Sequence, residues 1–245
     1  MNSSNNKVAL VTGGAKRLGK YISVSLAESG FDIILNYNSS SQKELKKVLQ
    51  EFSDAGVKVT PVKCDVTNVT AVKRMFAVVE KKYGRLDLLV NNAAIFRRTE
   101  FTETTEKEYD SFLDTNLKAV FFCCQEAAKL MMKSNNKISR IINIASLGAI
   151  ENWTGFIPYS LAKAGVIKLT EQLGKKLAPD ILVNAVAPGT IEMEDERNAD
   201  FENINKYPMR KFADPEDIVS LVKYLALENK YITGQTFTVD GGKSL

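Results

Sequence analysis

The chain has 245 residues, 44% of them hydrophobic and 25% charged, with a formal net charge of +4 and no histidine. Those proportions are those of an ordinary folded protein, and the length suits one large α/β domain, which excludes a disordered chain and leaves no need for a second domain. Lys and Arg are interspersed with acidic residues, which gives no footing for a nucleic-acid partner. No apolar stretch reaches the roughly 18–20 residues of a membrane span, and Met1 to Asn6 is a polar, flexible leader without an apolar signal core, so a cytoplasmic address away from membranes is expected.

Val8 to Val11 is a short apolar run that leads into Thr12-Gly13-Gly14-Ala15-Lys16-Arg17-Leu18-Gly19, and a helix begins near Lys20. A strand, a glycine turn and a helix start make an anion site, because unpaired amide N–H groups and the positive helix end point at one place; a dinucleotide pyrophosphate fits there. The spacing Gly14-x-x-x-x-Gly19-Lys20 also matches all but the last position of a triphosphate-binding loop. Tyr21 stands where that loop needs a Ser or Thr hydroxyl for magnesium, which argues against a nucleotide triphosphatase.

Asp32 to Tyr37 is the second predicted strand. About twenty residues beyond the glycines an NAD site offers a carboxylate to the ribose 2′-hydroxyl, and here the chain reads Leu35-Asn36-Tyr37-Asn38-Ser39-Ser40, with no acid among them. Lys16 and Arg17 project from the glycine turn, and a guanidinium grips phosphate in a fork. NADPH is therefore expected over NADH.

Further along, Leu45, Val48, Leu49 and Phe52 keep helical spacing, as do Val72, Met75, Phe76 and Val79, and between them Val57 to Cys64 reads as a strand. Leu86 to Asn91 is the next strand. Ala119 to Met132 is apolar over more than one helical face, which suits contact with both a sheet and another subunit. Cys64, Cys123 and Cys124 resemble neither a zinc set nor a disulfide framework and are expected as buried thiols, with no metal site. Arg140 to Ala145 and Leu182 to Ala187 are buried-strand runs, Pro188 to Phe212 is a long acidic segment expected as a lid, Asp214-Pro215 caps a helix, and Thr236 to Val239 closes the series. The alternation implies a mostly parallel, doubly wound α/β sheet.

Ser146 falls at the carboxyl end of a predicted strand, where open α/β sheets place ligand sites. Thirteen residues on, Tyr159 and Lys163 lie four apart on a predicted helix, so phenol and ammonium project from one face. A cation held beside a tyrosine favours the phenolate and lowers a pKa that starts near 10. Without imidazole in the chain, the phenol is the natural candidate for moving a proton near neutrality. Tyr207 and Lys211 share the spacing, but Pro208 interrupts them and Glu194 occupies the position thirteen upstream, so that pair reads as a surface coincidence.

With the glycine turn, Asn91-Asn92-Ala93-Ala94, Asn116, Ser146, Tyr159-x-x-x-Lys163 and Pro188-Gly189 in this order, the chain resembles the short-chain dehydrogenase/reductase family from end to end. The resemblance implies a single Rossmann-like domain over residues 1–245, a seven-stranded parallel sheet flanked by helices, and a homotetramer. It implies an enzyme that reduces a carbonyl to an alcohol, with Tyr159 as general acid, Lys163 holding the nicotinamide ribose and lowering the tyrosine pKa, Ser146 bonding the substrate carbonyl, and Asn116 anchoring a water in the proton relay. Hydride arriving at carbon drives charge onto oxygen, and two hydroxyl donors fixed there stabilise that charge. The same likeness places Thr12, Gly13, Lys16, Arg17, Leu18, Gly19, Asn38, Ser39 and Ser40 around the NADPH phosphates. It places Asp65 and Val66 at the adenine, Asn91 and Ala93 at the ribose, Tyr159 and Lys163 again beside the nicotinamide, and Pro188, Gly189, Thr190 and Ile191 at its amide end. Arg17 stands where the family usually has a glycine, as in NADPH-dependent branches, and Ala94 replaces another.

Gly14 to Gly19, the ending Val239-Asp240-Gly241-Gly242-Lys243-Ser244-Leu245 and the Leu177-Ala178-Pro179-Asp180 turn are similar to pteridine-reductase-type members, which carry Asp where Ser146 stands. Ser146 is similar to what 3-oxoacyl-carrier-protein reductases use, and Lys129 and Lys175 stand where those enzymes face an acidic carrier protein. The acids of the expected lid, Glu192, Glu194, Asp195, Glu196, Asp200 and Glu202, would repel such a carrier, which must then use another face. The expected function is NADPH-dependent reduction of a small carbonyl substrate, of the 3-oxoacyl-carrier-protein reductase kind, with the substrate carried as a thioester. A dihydropterin reductase is the alternative. A non-catalytic NADPH sensor comes third, since it has no need of Asn116, Ser146, Tyr159 and Lys163 together.

Overall fold

Seven parallel strands form one sheet in the order β3-β2-β1-β4-β5-β6-β7. In a computed structural model describing residues 6–54, 58–134, 138–193 and 203–245, these are β1 (Lys7–Val11), β2 (Phe31–Tyr37), β3 (Val59–Lys63), β4 (Leu88–Asn91), β5 (Ser139–Ile144), β6 (Ile181–Pro188) and β7 (Thr236–Val239). The chain winds outwards from β1 to β3, then returns to place β4 on the other flank of β1. This reversal opens a crevice beyond the carboxyl ends of β1 and β4, the usual ligand position in such sheets.

Strand residues alternate between two apolar layers, as a period of two requires. Val8 and Leu10 of β1 face one layer with Leu89 and Ile141, while Ala9 and Val11 face the other with Leu88, Val90 and Ile142. The first layer is covered by α3 (Val69–Tyr83), α5 (Ala119–Lys133) and α6 (Ile157–Leu177). The second is covered by α1 (Arg17–Glu28), α2 (Gln42–Asp54) and α7 (Pro215–Leu227); the short α4 (Glu106–Leu113) leads into α5. Burial on both faces is why the inner strands read as near-continuous apolar runs rather than alternating ones, while the edge strands β3 and β7 are only partly buried.

The helix ends follow local chemistry. Asn68 caps α3, accepting from the Ala71 N–H at 3.0 Å, and Gly84 ends it with φ 66. Pro215 occupies the first turn of α7, where the Asp217 carboxylate accepts from the Asp214 N–H at 2.9 Å. The three cysteines are buried thiols, as their neighbours predicted. Phe121 and Met132 on α5 are 45% and 57% exposed while eight other residues of that helix are buried, so its second apolar face is open.

Residues 1–5 of the expected leader lie outside the described residues, but Asn6 is already tied to the fold by its bond to Asp32 at 3.2 Å. Glu194, Asp195, Glu196, Asp200 and Glu202 of the expected lid also lie outside them. Among the described residues no helix is long and apolar enough to cross a membrane.

Candidate active site

The glycine turn is built for close approach by another backbone or a ligand. A Cβ at Gly19 would lie 2.2 Å from the Gly13 carbonyl oxygen and 2.5 Å from Asn92 Nδ2, and Gly13 has φ +60. Only glycine fits either position. Thr12 Oγ1 accepts from the N–H groups of Asn92 and Ala93 at 2.9 and 3.1 Å, and Asn92 Nδ2 donates to the Thr12 carbonyl at 3.0 Å. The β1 and β4 ends are thereby locked together across the crevice.

Asn36 was absent from the sequence-predicted site and supports it from below. Its Oδ1 accepts from the Gly13 N–H at 3.1 Å while its Nδ2 donates to the Cys64 carbonyl at 3.1 Å. One buried amide thus couples the turn to the ends of β2 and β3. Arg17 adopts φ 49, the left-handed conformation that a glycine would hold easily. The expected phosphate set, Lys16, Arg17, Asn38 and Ser39, is exposed at this rim with Ser40 half-buried, and Leu18 is buried behind it. Lys16 is paired with Glu44 at 3.0 Å.

Further along the crevice, the Asp65 carboxylate accepts from the N–H and Oγ1 of Thr67, and Val66 is buried. The Asn91 side chain turns inwards, donating to Asn143 Oδ1 at 2.9 Å, so Asn91 offers the crevice its main chain rather than its amide. Asn116 sits in a π-helical turn, Asp114–Lys118, and is fully buried. Its side chain spends one acceptor and one donor on the main chain of Ile95, at 2.9 and 3.0 Å. Such turns often mark functional positions in helices.

Ser146, Tyr159 and Lys163 come together at the carboxyl edge of β5, with 5%, 8% and 2% exposure. Ser146 accepts from the Gly148 N–H at 3.1 Å, which orients its hydroxyl. Lys163 Nζ donates to the Ile144 carbonyl at 2.6 Å and lies 5.9 Å from the Tyr159 ring centre. Burial brings the Lys163 ammonium down to about 8. Burial also pushes the Tyr159 phenol above its ordinary value, opposed by its hydrogen bond with Ser146. This corrects the expectation that Lys163 lowers the tyrosine pKa: the ammonium is turned to a carbonyl and desolvation dominates.

Aromatic residues wall the site. Phe96 stacks on Phe156 at 4.5 Å and meets Tyr159 edge-on at 4.9 Å, and Trp153 packs edge-on to Phe156. Sequence reasoning missed all three, which come from two distant segments with no shared periodicity. On the opposite side, Pro188 ends β6, Gly189 packs against Asp240, Ile191 bridges Ala213, and Thr190 Oγ1 accepts from Tyr207 Oη at 2.8 Å. Tyr207 is 1% exposed, so its reading as a surface residue was wrong; Lys211, paired with Asp214 and Asp217, is the exposed half of that decoy.

Known proteins are similar to this chain over nearly all its length. Residues 13–244 match the family model described as Enoyl-(Acyl carrier protein) reductase. A 3-oxoacyl-[acyl-carrier-protein] reductase of Synechocystis sp. is 37% identical over 246 residues, 99% of this chain and 98% of its own length. The Staphylococcus aureus 3-oxoacyl-[acyl-carrier-protein] reductase FabG is 39% identical, over 96% and 97%. Among solved structures, a Serratia marcescens short-chain dehydrogenase/reductase mutant superposes with a TM-score of 0.89 at 31% identity over 98% of both chains. An actinorhodin polyketide ketoreductase with NADPH gives 0.88 at 29%, over 100% of this chain and 99% of its own. With a family match across nearly all its length and relatives above 30% identity, the chain belongs to the short-chain dehydrogenase/reductase family of oxidoreductases acting on C=O and CH–OH groups.

Proposed function

We propose that this oxidoreductase is an NADPH-dependent reductase of 3-oxoacyl thioesters, with Ser146, Tyr159, Lys163 and Asn116 as its site. The observation that carries the reading is the convergence of two hydroxyls and an ammonium, all buried, at the carboxyl edge of the sheet. The names of the full-length relatives support the thioester, and the Ser146 hydroxyl agrees with them.

The crevice suits a dinucleotide: the close approach at Gly19 and the left-handed Gly13 bring the turn against the start of α1, where Lys16 makes no side-chain cap bond and a helix N-terminus favours an anion. Lys16, Arg17, Asn38, Ser39 and Ser40 would hold the ribose phosphate, with no carboxylate in the Asn36–Ser40 stretch to reject it. The adenosine end would rest on Asp65, Val66, Ala93 and the Asn91 main chain, and the nicotinamide end on Pro188, Gly189, Thr190 and Ile191. The chemistry a bound reduced nicotinamide supplies is donation of hydride to the carbonyl carbon. Ser146 and Tyr159 bond the carbonyl oxygen and stabilise the charge that develops there, and Tyr159 passes its proton to that oxygen. Lys163 would anchor the nicotinamide ribose and return a proton to the phenol, and Asn116, tied to the Ile95 main chain, would hold the turn that anchors a relay water.

A dihydropterin is the second reading, supported by the flat apolar wall of Phe96 and Phe156 beside Tyr159. The decisive test follows NADPH absorbance against an acetoacetyl thioester and a dihydropterin, with Tyr159→Phe as control. Loss of turnover in that variant with NADPH binding kept is expected. Unchanged turnover would overturn the assignment, and preference for the pterin would select the second reading. The open face of α5 at Phe121 is proposed as a subunit contact in a homotetramer.

A further inference from the structure

Lys243, two residues before the last residue of the sequence, is almost buried, its side chain only 7% exposed. An ammonium in such a place is unfavourable unless other groups compensate it. Three do so. Its Nζ pairs with Glu151 Oε2 at 3.0 Å and lies 5.3 Å and 5.5 Å from the ring centres of Trp153 and Tyr207. Both distances are within cation–π range.

These contacts lead to two separate segments, the one that follows β5 and the one that follows β6. The same Glu151 Oε2 accepts from Trp153 Nε1 at 2.7 Å, and the Trp153 ring lies against Gly148, where a Cβ would come within 2.6 Å of it. Gly148 carries the N–H that orients Ser146. In the other segment, Tyr207 holds Thr190. The backbone that presents Lys243 is fixed as well: the Asp240 carboxylate accepts from the N–H groups of Gly242 and Ser244 at 3.0 and 2.9 Å, across two left-handed glycines.

The geometry points to Lys243 as a positioning residue, a cationic peg that couples the carboxyl-terminal turn to the Ser146 segment through Glu151 and Trp153 and to the Thr190 segment through Tyr207. The kinetic part rests on the proposed carbonyl reduction; the coupling itself does not.

Trp153 is the single tryptophan of the chain, so its fluorescence reports the contact directly. In Lys243→Met, acrylamide quenching of Trp153 is expected to at least double, and KM for the acetoacetyl thioester to rise about tenfold with kcat changed much less, a loss of the size expected for one charged contact. Lys243→Arg should restore both readouts. Glu151→Gln, a second route to the same break, should resemble Lys243→Met, and the double variant should be no worse than either single. Unchanged quenching in Lys243→Met, additive defects in the double variant, or a fall in kcat with KM unmoved would each overturn the proposal. Should the unaltered protein turn over no thioester, the reduction reading fails while the fluorescence and the double variant still decide the coupling.

Discussion

Lys163 gives its ammonium to the carbonyl of Ile144, at 2.6 Å, in a site where it is 2% exposed. That carbonyl ends β5, so the lysine stitches α6 to the strand that carries Ser146. With the folded value brought by burial to about 8 from 10.5, the stability cost of the charge is fully present below pH 8. As pH rises from 8 towards 10.5 the unfolded chain retains a proton that the folded one has released, so stability increases across that window. Lys163→Met removes this dependence. The expected outcome, read by urea unfolding, is a variant more stable than the parent at pH 7 by on the order of 3 kcal/mol, less the lost bond to Ile144, with the gap closing by pH 10. The same variant should be catalytically dead, the ordinary exchange of stability for function at a site.

Arg17 presents a second such conflict. A non-glycine residue at φ 49 is strained by roughly 1–2 kcal/mol, and the guanidinium gains a place at the phosphate rim in return. Arg17→Gly and Arg17→Ala both remove the cation, but only glycine relieves the backbone. Both should weaken NADPH binding far more than NADH binding, by titration of cofactor fluorescence. The glycine variant should also outlast the alanine variant in urea by up to ~1 kcal/mol, the remainder after glycine's greater unfolded-state entropy. Equal stabilities would show that the backbone there is unstrained.

Asn36 tests whether the glycine turn is rigid by itself. Asn36→Ala leaves the Gly13 N–H and the Cys64 carbonyl without the partners they now have, at a cost of about 1–3 kcal/mol. If the turn depends on that support, NADPH affinity falls along with the melting temperature. Affinity unchanged in a destabilised protein would confine Asn36 to the core.

The five inner strands were legible because each is a short run buried on both faces, and the pair Tyr159 and Lys163 because helical spacing alone brings them to one side. What spacing could not supply was direction. It placed the ammonium near the phenol but gave neither its bond to Ile144 nor the burial that pushes the phenol up. Asn36 was unreadable because an asparagine at a strand end looks like turn chemistry, and its partners lie 23 and 28 residues away. Tyr207 was misread because Pro208 argues against a helix without arguing against burial. The wall of Phe96, Trp153 and Phe156 is assembled by the segment after β4 and the approach to α6, and no local period connects those segments.

Glu44 bears on cofactor choice in a way that charge counting over the glycine turn alone does not capture. Its carboxylate is held down to about 2 by the Ser41 N–H and by Lys16, so it stays ionised throughout the working range and occupies one of the two cations expected at the ribose phosphate. Glu44→Gln keeps an oxygen for the Ser41 N–H, and so keeps the start of α2, while releasing Lys16. NADPH should then bind roughly two- to fivefold tighter with NADH nearly unaffected, the size expected of one exposed charge pair. The gain should shrink as salt is raised towards 0.5 M, because exposed charges are screened over about a Debye length. Isothermal titration at two ionic strengths reads both effects. Equal tightening for the two cofactors would place Lys16 on the shared pyrophosphate instead, leaving Arg17 as the discriminating cation.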